Sequence, residues 1–389
     1  MRKKQIALLL AIVLSISCFV GCSSESGRVE VKEPEIEPIE EIVEEPVEEP
    51  VEEIKELTGI TQREVVNGEM QSYLTGEWTS EEVATRRPIA VMIPNNSPAM
   101  PQYGLSQAGI IYEAPVEGRI TRIMAVIENF DELDRVGPVR SARDYFLYTA
   151  LGYDAIFCNW GLARPYVEEL INRDNVHNVS AAVEGIYKPA DEAYARVPRE
   201  GYSLEFTGYL MMDGLFDAVD RLGYNWNYSE GHVPQFLFAN DMIAEYAENE
   251  DATMIYPGGK SGDNASGYGA YHPYFEYHAD DHLYYRYQNG EPQIDEYNGE
   301  QLTFTNVVLQ YCHGEVRDDH DYLAFGMHDE GQALIFTNGK VIPCTWSRLA
   351  GDSIPARFYD ATGQEVIVNQ GKTWICTIWD EYSEYVEYE

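Results

Sequence analysis

The sequence predicts an α/β domain followed by an antiparallel all-β domain, α+β overall. Three observations carry this. Short apolar runs rich in β-branched residues alternate with helix-spaced apolar stripes up to about residue 255. Past a glycine-rich polar stretch, PGGKSGDNASGYG at 257–269, the pattern turns tyrosine-rich with a period of two. Asn-Gly pairs then recur at 289–290, 298–299 and 338–339, the dipeptides that supply positive φ in tight hairpins.

In chain order, Arg2, Lys3 and Lys4 precede an apolar run from Ile6 to Ile16 and then SCFVGC. This is the layout of an export signal over residues 1–21. Phe19-Val20-Gly21-Cys22 resembles a bacterial lipobox, in which the cysteine is lipidated and becomes the mature N-terminus. Cys22 is therefore the candidate lipidation site, with Cys18 as the second choice. An uncleaved anchor or a plainly secreted chain are the alternatives. Residues 22–57 repeat Glu, Pro and Val, and 23–56 hold fourteen acids against three bases. Such a segment repels itself and buries too little apolar area to offset the entropy of ordering, so it reads as a disordered, extended tether.

The N-terminal domain is expected over residues 80–256. PIAVMIP (88–94), GIIYE (109–113), ITRIMAVIE (120–128) and DAIFCN (154–159) read as strands. Ala142, Tyr145, Phe146, Thr149 and Ala150 make one helical stripe, with Ser141 as its cap and Gly152 as its end. A second helix starts at Pro165, and a third spans 209–222. The C-terminal domain is expected over 270–382. YFEYH and LYYRY are half-buried strands there, and ALIFTNGKVIPCTW is the clearest hairpin.

Charge excludes one class of partner. The leader contributes +3 and the tether −11 to the formal −39, so residues 57–389 keep −31. Nucleic-acid binding relies on basic patches that neutralise phosphates, and no nucleic-acid partner is expected. Screening acts over roughly 8 Å at physiological ionic strength, so a local arginine pocket can still attract a small anion. Cys158, Cys312, Cys344 and Cys376 lie in apolar runs without a CxxC pair. They read as buried free thiols, with a Cys344–Cys376 bridge as the alternative.

Against this acidic background, VGPVRSARDYF (136–146) places arginines where a helix begins. With Ser141 as cap, Arg140 and Arg143 add to the positive end of the helix dipole, a cost unless an anion offsets it. That anion is either internal, from Asp131, Glu132, Asp134 or Asp144, or a ligand phosphate or carboxylate gripped by the guanidinium fork. A second stretch, YEAPVEGRITR, joins two predicted strands and holds Glu113, Glu117, Thr121 and Arg122. Carboxylates beside arginines are candidate general acids and bases, here Glu113 and Glu117. The preferred alternative for them is a solvated loop with charge pairs.

PNNSPAMPQYGLSQAGIIYEAPVEGRITR, VGPVRSARDYF and YDAIF together resemble the YerB-like bacterial lipoproteins, whose two domains are of unknown function. The likeness covers about residues 85–380, including TNVVLQY and ALIFTNGKVIPCTWSR. It implies an exported, membrane-tethered envelope protein with an α/β domain followed by a β domain, and no established activity. Asn96, Gln102, Glu113, Glu117, Thr121, Arg122, Gly137, Pro138, Arg140, Ser141 and Arg143 match the family pattern. The chain departs from it at Met100, where arginine is usual, at Arg119, where glycine is usual, and at CNWG (158–161), where a histidine with glycines is usual.

HADDH (278–282) and HGEVRDDHD (313–321) have donors for a divalent metal, yet read equally as polar turns, and no metal site is assigned. No GxSxG, Walker or GxGxxG motif is present, and no cofactor is expected. Two functions remain. One is a membrane-anchored envelope protein on the extracytoplasmic face, lipid-anchored through Cys22, which binds a small anionic group of a cell-wall component or envelope protein. Its binding residues would be Asn96, Thr121, Arg122, Arg140, Ser141 and Arg143. The other is an envelope hydrolase of a glycan or phosphodiester, with Glu113 or Glu117 as acid or base.

Overall fold

Ten apolar segments pair into one mixed sheet in the computed structural model, which describes residues 56–262 and 264–389. The export signal, Cys22 and the tether up to residue 55 lie outside the described residues. The strands are β1 (Ile89–Pro94), β2 (Ile110–Val116), β3 (Ile120–Ile127), β4 (Ile156–Asn159), β5 (Asn178–Ser180), β6 (Asn306–Cys312), β7 (Glu330–Thr337), β8 (Lys340–Ser347), β9 (Arg357–Tyr359) and β10 (Thr373–Trp379). They lie side by side in the order β9-β8-β7-β6-β10-β2-β3-β1-β4-β5.

The first five strands come from the half expected to be α/β, the other five from the half expected to be β, and the two sets meet where β10 pairs with β2. The C-terminal half is strand-rich as expected, but it is not purely antiparallel. β10 runs parallel to both β6 and β2. TWICTIW explains this, because all seven residues are buried, as a central strand covered on both faces requires.

Alternation along each strand sorts side chains to two faces. Ala90 and Met92 pack on one face with α1 (Asp144–Gly152) and α2 (Arg164–Ile171), through Phe146, Ala150, Val167 and Ile171. Ile89, Val91 and Ile93 pack on the other with α3 (Met212–Leu222), through Leu215 and Val219. A second sheet covers that same face. Its strands include Met254–Tyr256, Tyr274–His278 and Leu283–Gln288, and it contributes Ile255, Phe275 and Tyr284 to the core. No helix among the described residues is long and apolar enough to cross a membrane.

Several expectations need correction. Ser141 does not cap a helix, because residues 140–142 are tied as an extended strap: Arg140 N–H donates to Met92 O at 2.8 Å and Ala142 N–H to Gly161 O at 2.9 Å. The helix starts at Asp144, with Arg143 in extended geometry just before it. The third helix starts at Met212 rather than 209, since Gly208–Met211 is a strand paired to Arg135–Val136 and Tyr194–Arg196. Asn289-Gly290 and Asn338-Gly339 both take positive φ, as hairpin turns demand, whereas at 298–299 only Gly299 does. All four cysteines of the described residues are free and buried. The bridge between Cys344 and Cys376 is excluded by topology, since β7 and β6 lie between β8 and β10, a separation of roughly 14 Å at strand spacing.

Candidate functional site

The β2–β3 hairpin positions Glu113, Glu117, Thr121 and Arg122. Its seven- and eight-residue strands pair antiparallel, with Ala114 opposite Arg122 and Pro115 opposite Thr121. Successive side chains point to opposite faces, so Thr121 and Arg122 part company.

Glu113 and Thr121 face the second sheet. Glu113 is wholly buried, and five donors converge on it. One carboxylate oxygen accepts from Asn95 Nδ2 at 2.8 Å and Thr121 Oγ1 at 2.7 Å. The other accepts from Arg286 Nη2 and Trp374 Nε1, both at 2.9 Å, and more weakly from Cys376 Sγ at 3.8 Å. Arg286, also 0 % exposed, lies over the rings of Phe275 and Trp374 at 4.6 and 4.5 Å. A carboxylate sealed from solvent with both oxygens engaged has no path to a substrate. Glu113 is therefore an anchor between the two sheets and not a general acid or base. Thr121 belongs to the same anchor. Asn96 stands outside it, with its neighbour Asn95 making the contact.

Arg122, Arg140, Ser141 and Arg143 do come together on the other face. Arg122 Nη1 donates to Ser141 O at 2.7 Å, and Arg143 Nη1 reaches the same carbonyl at 3.4 Å and Ala142 O at 2.9 Å. Arg143 grips Glu117 with two parallel hydrogen bonds, at 2.9 and 2.5 Å. Arg140 pairs with Glu205 at 2.9 Å, near the surface. Other acids considered as internal partners are engaged elsewhere: upstream, Asp131 pairs with Arg86 and Asp134 with Arg135, and the adjacent Asp144 pairs with Arg317.

Arg122 differs from its neighbours. It is 7 % exposed, and among the described residues no carboxylate lies within 4 Å of it. Burial, reinforced by the charges of Arg143 and Arg140, pulls its pKa down to about 9. An unneutralised buried cation is costly, of the order of several kcal/mol, unless an anion joins it.

Beside this row, a hollow of about 390 Å³ is lined by Glu117, Gly118, Arg119, Val316, Leu323 and Trp379. Arg119 is exposed, without a carboxylate partner among the described residues, and it holds φ 60 in the turn. That left-handed geometry favours glycine, so an arginine there is held at some cost. The indole N–H of Trp379 is buried and lacks an acceptor among the described residues.

Of the two metal-capable stretches, HGEVRDDHD brings Asp318, Asp319 and His320 together, but Asp318 is already occupied by Tyr166 Oη at 2.7 Å and by the His320 backbone N–H at 3.0 Å. In HADDH, His278 stacks on Tyr285 and His282 Nδ1 lies 2.8 Å from Asn338 Oδ1.

Comparison with known proteins places this architecture. Residues 74–224 match the family described as "Protein of unknown function (DUF3048) N-terminal domain", and residues 265–375 match its C-terminal domain. The chain belongs to the DUF3048 family. It is 27 % identical over 308 residues to the Bacillus subtilis (strain 168) protein named "Putative lipoprotein YerB", covering 79 % of this chain and 86 % of that one. The crystal structure of YerB from Bacillus subtilis superposes with a TM-score of 0.67 at 24 % identity, covering 82 % of this chain and 99 % of that one. At that identity the likeness shows the fold alone, and both DUF3048 segments contribute strands to the ten-stranded sheet.

Sequence reasoning missed Arg286, Trp374 and Asn95. One signal was available. In LYYRYQ the buried positions alternate as Tyr284, Arg286 and Gln288, so the arginine occupies a core-facing register and demands a buried acid.

Proposed function

We propose that the protein is a lipid-anchored lipoprotein on the extracytoplasmic face of the cell membrane. In this reading it holds a small phosphate- or carboxylate-bearing group of an envelope ligand at Arg122, flanked by Arg140 and Arg143. The observation that carries this is the Arg122 guanidinium, buried and without a carboxylate among the described residues. Its neighbours are already matched to Glu117 and Glu205, so a ligand anion would complete the row and not compete for it. The hollow beside Glu117 offers Trp379 and Leu323 to the ligand's apolar part and Arg119 to a second acidic group. With Glu113 sealed away, binding is favoured over hydrolysis.

The lipid anchor rests on the FVGC sequence and on the name of the Bacillus subtilis relative. Labelled fatty acid should be incorporated into the wild-type chain in cells, and Cys22→Ser should lose the label and leave the membrane fraction. A labelled Cys22→Ser chain would refute the assignment.

The anion site is tested by calorimetric titration of the full chain with inorganic phosphate. Arg122→Met, which keeps the buried volume, should weaken phosphate binding by at least about tenfold, as loss of one charge-assisted hydrogen bond predicts. Arg119→Gly should leave it unchanged. Equal affinity in wild type and Arg122→Met would refute the reading.

A further inference from the structure

A second polar hollow lies at the opposite end of the β2–β3 hairpin, where Gly109 and Glu128 flank its open ends. Strand rise from Gly109 puts it about 26 Å from the Glu117 turn. It measures about 230 Å³ and is lined by Ser72, Glu77, Ser106, Glu128 and Lys372, among others. Three of these groups are incompletely matched by the protein. Glu128 is 7 % exposed, and one of its oxygens accepts from Ser72 Oγ, while the other is buried with no donor among the described residues. Ser106 Oγ is likewise buried without a partner among them. Lys372 Nζ reaches only the Ser106 carbonyl, at 3.4 Å, and no carboxylate of the described residues lies within 4 Å of it.

The hollow thus presents an acid with one oxygen lacking a donor, a cation held by one long backbone hydrogen bond, and a hydroxyl without a partner among the described residues. No single ion satisfies both the acid and the cation. We propose that this hollow binds a small zwitterion, a free amino acid or a dipeptide, with its ammonium on Glu128 and its carboxylate on Lys372 and Ser106. The volume lies below that of most sites for drug-sized ligands, which limits the ligand to this size. The inference is independent of the arginine row, since none of its residues is shared.

The site carries a pH signature. Burial, opposed by the Ser72 hydrogen bond and by Arg63 and Arg86 and reinforced by Glu77, pushes Glu128 up to about 7. Tyr228 also faces it, and Lys372 lines the hollow with it. The ammonium end binds the ionised carboxylate, so affinity should rise up to tenfold per pH unit below about 7 and level off above. Burial, opposed by the charges of Glu77, Asp295 and Glu300, also lowers the pKa of Lys372, so the carboxylate end should weaken only at higher pH.

The test is calorimetric titration of the full chain with alanine, dialanine, acetate and ethylammonium. Alanine or dialanine should bind at least tenfold more tightly than acetate or ethylammonium, and Glu128→Gln and Lys372→Met should each weaken that binding at least tenfold. Both substitutions preserve the side-chain volume, and an unchanged circular dichroism spectrum and urea midpoint will show that each variant is folded. Alanine binding identifies a free amino acid as the ligand class, and dialanine binding alone identifies a peptide. Absence of heat with either up to about 10 mM, or a loss confined to one variant, overturns the proposal.

Discussion

Glu113→Ala should lower the unfolding free energy by about 3–5 kcal/mol, the cost of leaving one member of a buried ion pair unmatched. The variant strands Arg286 at 0 % exposure between two aromatic rings, and it also orphans the Trp374 indole N–H, while the Asn95 amide keeps only Thr121 Oγ1 as acceptor among the described residues. Arg286→Ala should cost a similar amount by stranding the acid. The pair joins β2 to the strand Leu283–Gln288 of the second sheet, so either loss loosens the contact between sheets. Replacing both partners, as Glu113→Leu with Arg286→Met, should cost far less than the two alanine losses together, because an apolar pair carries no desolvation penalty. Urea unfolding of the four chains measures this. Losses below about 1 kcal/mol that simply add would show that the pair is not the anchor described.

The second large effect is expected at Glu117. Its bidentate bond to Arg143, with the Glu205 contact to Arg140, supplies the carboxylates that pair with the arginine row among the described residues. Burial opposes the charge of Arg143, but the Glu117 hydrogen bonds together with the charges of Tyr145, Glu117 and Tyr322 outweigh it, raising the guanidinium pKa. Glu117→Gln would leave Arg143 and Arg122 adjacent with no acid between them. A loss of about 2–3 kcal/mol follows, below the fully buried case because the Glu117 side chain is 20 % exposed. That deficit should be anion-dependent. Thermal unfolding in rising phosphate should recover more stability in Glu117→Gln than in wild type, by linkage of ligand binding to folding. An equal phosphate response in both would mean that the arginines do not act on a bound anion.

Much of the fold was legible because its signals are local. β-branched runs gave four of the five first-half strands of the sheet within a few residues, Asn178–Ser180 being missed, and Asn338-Gly339 gave its hairpin with Thr337 opposite Lys340. What could not be read is long-range. The parallel junction of β10 with β2 joins residues more than 250 positions apart, and an all-apolar strand carries no mark of its neighbour. The Ser141 cap failed for the same reason, since hydrogen bonds to Met92 and Gly161 hold that backbone extended. At the site, the grouping of Arg122, Arg140 and Arg143 was visible in YEAPVEGRITR and VGPVRSARDYF. Which glutamate is buried was not, because Glu113 and Glu117 differ only in what covers them: Arg286 and Trp374 in one case, a surface hollow in the other.

The central claim is that an anion belongs beside the Arg122 guanidinium, and its location can be measured directly. Crystals of the protein soaked in selenate, a tetrahedral dianion with an anomalous signal, should show a selenium peak within about 4 Å of the Arg122 guanidinium, close enough for its oxygens to hydrogen-bond there. The peak should vanish in Arg122→Met crystals. Selenate ordered elsewhere on the surface, with none beside Arg122, would contradict the account.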